Sequence, residues 1–440
     1  MGNKRKTTGA IRDKFGPTWL WLIPSTVLFI KIITIFNIPG YVWLGADGES
    51  YLDGVNGLIS EGLFSEREKL QYFPAGYPIL IWIFSKLSIN YALLMLSIFQ
   101  SLVFAFSTWY FAKKLAATRL SVVNKWLLIF ISINPTLTLS SLVVGYESLV
   151  ASMLLLSAGV LISINSKTDT NIKKVILFSV FTGLASFIQP RYLATAVIVL
   201  VAYLYLEFGL KGSLKFVSIS LAVLMIFPLG LGLRNQQATD KFFVSNNLGV
   251  TMNVGAGPES TGGYTNKATG VPCKPEPQSD NQKVICVLKW YATNPDEFLR
   301  LSFNKTIYFF SPWTGPLANG TMARNPWLKV DPISQTAKTP DGFKMVYGGF
   351  GKLVSWTWLV GQLSLMIWGA VWLWRQGEDL RRLSVLAISM VSISWLVAVG
   401  TIGDHRFRIP IIAFMLLLQV AGLRSFSKKP LILKSQAKRR

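Results

Sequence analysis

Apolar runs of about 18 to 25 residues recur along the chain, and they constrain its fold more than any other feature. That is the length of a membrane-crossing helix. The runs are continuously apolar rather than alternating, which points to helices and away from the strands of a barrel. Hydrophobic residues make up 51% of the chain and charged residues 15%, against about 25% charged in soluble domains. The chain therefore reads as an all-α polytopic membrane protein.

The net charge of +23 suggests nucleic acid until its distribution is followed. Basic residues cluster at Lys4–Lys14, Lys113–Lys125, Lys167–Lys174, Lys211–Lys215, Arg375–Arg382 and Arg424–Arg440, at every second connection between apolar runs. This pattern fixes orientation in a bilayer and places both termini in the cytoplasm, with no nucleic-acid partner. A basic start followed by an apolar run also begins a signal peptide. No small-residue cleavage site follows here, so the run reads as an uncleaved first helix.

About ten spans are expected: Trp19–Phe36, Tyr91–Ala112, Trp126–Asn134, Glu147–Ile164, Val175–Gln189, Tyr192–Phe208, Phe216–Leu233, Leu353–Trp374, Leu383–Ile402 and Ile409–Leu423. Gly76–Leu87 is too short to cross and carries Pro78, so it reads as an interfacial helix. Lys31, near the end of the first span, is expected to snorkel toward the interface or meet an anionic headgroup. The resulting organisation is a basic tail (1–18), seven spans over 19–233 with an acidic first outer loop (40–88), and an extracytoplasmic region (234–351). Three spans (352–423) and a second basic tail (424–440) close the chain.

The region 234–351 is rich in Gly, Pro, Asn and Thr and too polar to span. Within it, Asn294-Pro295-Asp296 starts an amphipathic stretch, EFLRLSFNKTIYFF. It also holds both cysteines, Cys273 and Cys286. Outside the cytoplasm they are expected to pair and staple the loop.

The segment 41–78 carries six of the chain's 21 acidic residues: Asp47, Glu49, Asp53, Glu61, Glu66 and Glu68. The same face receives Glu147, Arg191, Tyr192, Arg234, Asn235, Asp404, His405, Arg406 and Arg408 from four further loops. Arginines at outer helix ends run against the basic-inside trend, so an anionic group is expected to hold them there. Guanidinium grips phosphate by paired hydrogen bonds, and a nearby carboxylate can accept a proton from a nucleophile. The plainer alternative is a set of ion pairs tying loops together, which serves equally well for any one residue. Other chemistries find few residues. One histidine excludes a His-rich metal site, no serine sits in a nucleophile elbow, and Gly230-Leu-Gly232 lacks the rest of a dinucleotide fingerprint.

Five motifs, in order, resemble those of the polytopic C-superfamily glycosyltransferases, in the branch of the protein O-mannosyltransferases and the lipid A aminoarabinose transferase. They are Asp47-x-x-x-Tyr51 followed by Tyr72-Phe-Pro-Ala-Gly-Tyr-Pro78, Pro135 to Glu147, and Gly183-Leu-Ala-Ser-x-x-x-Pro-Arg191. Arg234-Asn235 then leads into Gly249–Pro258 and Thr261-Gly-Gly-Tyr264, and Gly403-Asp-His-Arg-Phe-Arg-Ile-Pro410 precedes the last span. The resemblance implies transfer of a sugar from a polyprenyl-phosphate donor to an acceptor on the outer face of a bacterial-type plasma membrane. It implies Asp47 as general base, with Glu147 standing where relatives often carry Asp. Arg191, Arg234 and Arg406 would face the donor phosphate, and Glu49, Tyr51, Tyr72, Tyr77, Tyr192, Asn235 and His405 would line the substrate. The acceptor is left as a lipid-linked glycan, a protein or a cell-wall polymer. No cofactor is called for, and a carboxylate-held divalent ion stays open. Direct displacement would invert the anomeric centre. The competing reading is a flippase or transporter of a polyprenyl-linked sugar, which needs polar groups along the depth of the bundle.

Overall fold

The computed structural model describes residues 17–44, 47–164, 171–264, 270–310 and 342–427. The tail residues 1–16 and 428–440, and residues 311–341 of the large loop region, lie outside that set. In chain order the helices are α1 (Trp19–Phe36), α2 (Gly48–Glu61), α3 (Glu68–Tyr72), α4 (Gly76–Leu87), α5 (Ala92–Leu115), α6 (Ser121–Ile133), α7 (Pro135–Ser140), α8 (Glu147–Ile162) and α9 (Asn171–Ile188). They continue with α10 (Tyr192–Thr239), α11 (Leu248–Val254), α12 (Asp280–Thr293), α13 (Pro295–Phe310), α14 (Gly342–Arg375), α15 (Glu378–Gly400) and α16 (Ile412–Ser425). A 3₁₀ segment, His405–Ile411, leads into α16.

Among the described residues, seven elements are long and apolar enough to cross a membrane: α1, α5, α9, α10, α14, α15 and the run His405–Ser425. This supports a helical membrane protein. The expected count of ten is not reached by length, because α6 and α8 have 13 and 16 residues against the roughly 20 a straight crossing needs. The element α10 covers both the sixth and seventh expected spans. It breaks at Gly209, whose φ of 68° suits a residue without Cβ, so pieces 192–208 and 210–239 abut with no polar loop between them. The second piece also continues past Leu233, the expected end, to Thr239.

α8 lies at the centre, with every residue from Glu147 to Leu161 buried. A helix apolar all round has no solvent face to offer, which is why its neighbours α5 and α9 enclose it. Lys31 does not reach an interface. It is 3% exposed, with its ammonium 4.1 Å from the centroid of the Phe104 ring on α5 and no hydrogen-bond partner. Thirteen residues into an 18-residue helix and turned toward α5, it is enclosed by its neighbours instead.

The loops at one end of the bundle are pinned rather than loose. Trp43–Leu44 pairs in parallel with Val143–Val144, joining the acidic loop to the α7–α8 connection. Tyr77 underpins this ladder: its hydroxyl accepts from Gly145 N at 2.9 Å and donates to Gln100 Oε1 at 3.2 Å. The Gln100 amide in turn donates to the carbonyls of Ser141 and Val143, each at 3.1 Å. At the opposite end of α15, Asp379 pairs with Arg119 and Arg382 pairs with Glu207, fastening α15 to the α5–α6 connection and to α10.

α14 and α16 cross at Gly369 and Gly422. A Cβ on Gly369 would meet Leu418 O at 1.9 Å, and one on Gly422 would meet Leu365 O at 2.3 Å. Small residues let membrane helices approach backbone to backbone. Gly369→Leu is therefore expected to destabilise the fold by at least about 1–3 kcal/mol, the range for overpacking, read as a lowered Tm in detergent. An unchanged Tm would show that the two helices do not meet here.

Candidate functional site

The pinned end of the bundle holds a cavity of about 140 Å³. Its wall draws on the acidic loop (Asp47, Tyr51, Tyr72, Phe73), the α7–α8 connection (Tyr146), and the α9–α10 turn (Gln189, Arg191). The loop region contributes Asn247, Thr251 and Tyr264, and the segment before α16 contributes Asp404, His405 and Arg406. These groups are remote in sequence, and the ladder and the loop ties bring them to one place.

Arg406 organises the centre. Its Nη1 lies 2.8 Å from Asp47 Oδ2, and its Nε lies 3.5 Å from Glu147 Oε1. Glu147 is 1% exposed, at the first turn of α8, where the helix dipole favours negative charge. One guanidinium thus stands between two carboxylates. Asp404 fixes the arginine's backbone, accepting from Arg406 N at 2.9 Å, and its Oδ1 lies 3.2 Å from His405 Nδ1.

Arg191 stands apart from this triad. Its guanidinium carbon is 3.7 Å from the centroid of the Phe407 ring and 6.0 Å from that of Tyr146. No carboxylate pairs with it among the described ion pairs, and its Nη1 is buried without a hydrogen-bond partner. A buried donor left unmade is costly, so this guanidinium, with no carboxylate beside it, is able to take an anion. Tyr192, the next residue, borders a small void behind Arg191 with its hydroxyl also unpartnered.

Aromatic groups form the rest of the wall. Tyr51 packs edge-on against Phe73 and Tyr77, with ring centroids 5.2 and 5.1 Å away. Burial, and then the Asp47 carboxylate, push the Tyr51 phenol well above its usual range. Burial likewise raises Tyr72 and Tyr264, both of which face Asp47. All three stay neutral near neutral pH.

The loop region is built as a small layer over this cavity. Cys273 and Cys286 form a disulfide, beside a cluster of Met252, Val271, Val287, Tyr291 and Leu301. Asp280 caps α11 by accepting from Gly249 N at 2.9 Å and Val250 N at 3.3 Å. Asn246 N bonds Gln71 O at 2.9 Å. Together these ties aim Asn247 and Thr251, one helical turn apart, into the cavity.

Of the residues singled out in the sequence, Asp47, Tyr51, Tyr72, Arg191, His405 and Arg406 line the cavity. Glu147 lies behind it on Arg406, and Tyr77 is buried beneath as the support of the ladder. Glu49 is exposed on α2, away from the lining. Arg234 and Asn235 do not reach the cavity. Arg234 donates to Leu63 O and Asn235 Oδ1 at 3.0 and 2.8 Å, and also to Ser65 O. The Asn235 amide donates to Phe243 O at 2.8 Å. An arginine at a helix end can be satisfied by loop carbonyls, and here it locks α10 to the acidic loop. Phe73, Tyr146, Gln189, Asn247 and Thr251 line the cavity without having been singled out, although Phe73 and Thr251 fall inside two of the motifs. Tyr146 and Gln189 adjoin chosen residues, and the spacing of Asn247 and Thr251 marks one helix face.

Elsewhere a mostly apolar cleft of about 790 Å³ opens between α6, α14 and α16, lined by residues including Ile133, Trp358, Leu365, Leu416 and Val420. Among the described residues, no group of three or more His, Cys, Asp or Glu side chains is placed to hold a metal ion. No protein-family model matches the chain, and no curated protein matches it.

Arg234→Ala is expected to destabilise the fold by about 3 kcal/mol, because loop carbonyls lose a charged donor. Thermal unfolding in detergent measures this. A variant as stable as the parent would return Arg234 to the list of candidate ligand-binding groups.

Proposed function

We propose that the protein is an integral membrane glycosyltransferase that moves a sugar from a polyprenyl-phosphate donor to an acceptor hydroxyl, at the membrane face where the cavity opens. The observation that carries this reading is the division of charge in the cavity. Arg406 faces two carboxylates, while no described ion pair engages Arg191, whose Nη1 is buried without a hydrogen-bond partner. A phosphate ester bearing one charge matches that single unengaged guanidinium. The order of sequence motifs and the apolar cleft beside α14 and α16, wide enough for a lipid chain, support a lipid-linked donor.

In the proposed reaction the acceptor oxygen attacks the anomeric carbon opposite the phosphate. The bond from that carbon to the phosphate oxygen breaks, and its electron pair leaves with the phosphate. Arg191 stabilises the charge developing there, held over the Phe407 ring so that little reorganisation is needed. The acceptor proton passes to Asp47, which Arg406 orients. Glu147 lies behind the site, where it faces Arg406 from the far side and helps hold that guanidinium against Asp47. Asn247, Thr251 and Gln189 are placed to meet sugar or acceptor hydroxyls, and the tyrosine rings offer faces for the sugar's C–H groups. One displacement inverts the anomeric centre.

The test is transfer from a panel of radiolabelled polyprenyl-phosphate sugars by the purified protein in vesicles. Asp47→Asn is expected to lower turnover by about 10²–10⁴-fold, the range for losing a general base, with an unchanged elution profile. Arg191→Ala is expected to lower it by about 10²–10³-fold. No release of sugar from any donor by the parent protein, or equal turnover by Asp47→Asn, would refute the assignment.

A further inference from the structure

α13 presents two unlike faces. Leu301, Lys305 and Phe309 are buried at 0%, 1% and 0% exposure. The Lys305 ammonium donates to Tyr291 Oη at 2.8 Å and to the carbonyls of Val399 and Thr401 at 3.1 and 2.7 Å. This caps the end of α15 and fixes α13 beside it. On the other face, Leu299, Phe303 and Ile307 form a stripe at i, i+4 and i+8, exposed by 68%, 68% and 36%. Large apolar groups at such exposure in one row mark a surface that contacts something apolar.

The position of α13 identifies that partner. Trp395 of α15 donates its indole N–H to Thr306 Oγ1 at 3.0 Å. Trp395 lies about 7 Å of helix before Gly400, the last residue of α15. The middle of α13 is thus level with the last turns of a membrane-crossing helix. α15 also presents apolar surface in these turns, where Leu396 is 51% exposed. The polar flank points elsewhere: Arg300 pairs with Glu297 at 2.6 Å and donates to Ser260 O at 3.2 Å, within the loop region. An amphipathic helix with its apolar face about 5–10 Å into the headgroup boundary has this arrangement.

We infer that α13 is a membrane-surface helix, with Leu299, Phe303 and Ile307 immersed in the leaflet on the cavity's side. Because Gly403 is wedged against Lys305 and Tyr308, where an added Cβ would lie 2.6 Å from Lys305 Cα, the helix also sets the height of the Asp404–Arg406 wall. The bilayer thereby fixes the cavity mouth at headgroup level. The inference rests on the packing of α13 and is independent of the reaction proposed above.

Nitroxide accessibility tests it on the full chain in phosphatidylethanolamine–phosphatidylglycerol vesicles. The native cysteines are paired, so Leu299→Cys, Phe303→Cys and the loop-region control Lys289→Cys each take one label. At 299 and 303, molecular oxygen is expected to relax the label more than a water-soluble nickel chelate does, with the order reversed at 289. Nickel access at 303 and 299 matching that at 289 would overturn the inference. So would protection from both reagents, which would mean that protein covers the stripe. Two exposed label positions keep the test decisive if one variant folds poorly.

Discussion

Two carboxylates share one guanidinium: Asp47 and Glu147 both meet Arg406, and the geometry of the cavity follows from that sharing. The three residues come from the acidic loop, the start of a buried central helix, and the approach to the last span. Glu147 cannot move, because α8 is enclosed along its whole length. Arg406 cannot swing freely, because Asp404 holds its backbone. The acidic loop is therefore drawn to a fixed positive point, and the Trp43–Val143 ladder keeps it there. Removing Arg406 would leave both carboxylates without their counter-charge, which is more damaging than the contacts are stabilising.

Ties of a different kind hold the remainder. At the end of α15 away from the cavity, Asp379 and Arg382 fasten the helix to its neighbours. At the cavity end, Lys305 closes the carbonyls of Val399 and Thr401. A disulfide and the Asp280 cap give the loop region its own small core. The cavity is thus bounded on one side by rigid spans and on the other by a stapled layer, and this preorganises its polar groups.

The helical membrane class was legible because runs of apolar residues have few other destinations. Asp47, Arg191 and Arg406 were legible for a related reason: a charge beside a span needs a counter-charge or a ligand. Arg234 satisfies the same pattern but turns to backbone carbonyls, an outcome that depends on where the loop folds back. Lys31 was read as reaching for the interface, whereas a cation–π contact with Phe104 holds it inside. Asn247 and Thr251 were hidden because neutral polar residues are common in a loop rich in Gly, Pro and Asn, and only the Asp280 cap reveals their helix. The merging of two expected spans into α10 turns on the backbone freedom of Gly209, which hydropathy does not register.

The convergence of both acids on Arg406 can be measured by a double-mutant cycle pairing Glu147→Gln with Arg406→Gln, using unfolding free energies in detergent. The account predicts strong coupling, with the double variant more stable than the sum of the single losses by about 1–3 kcal/mol. Additive losses would mean that Glu147 and Arg406 do not share a charge interaction, and the cavity described here would lose its centre.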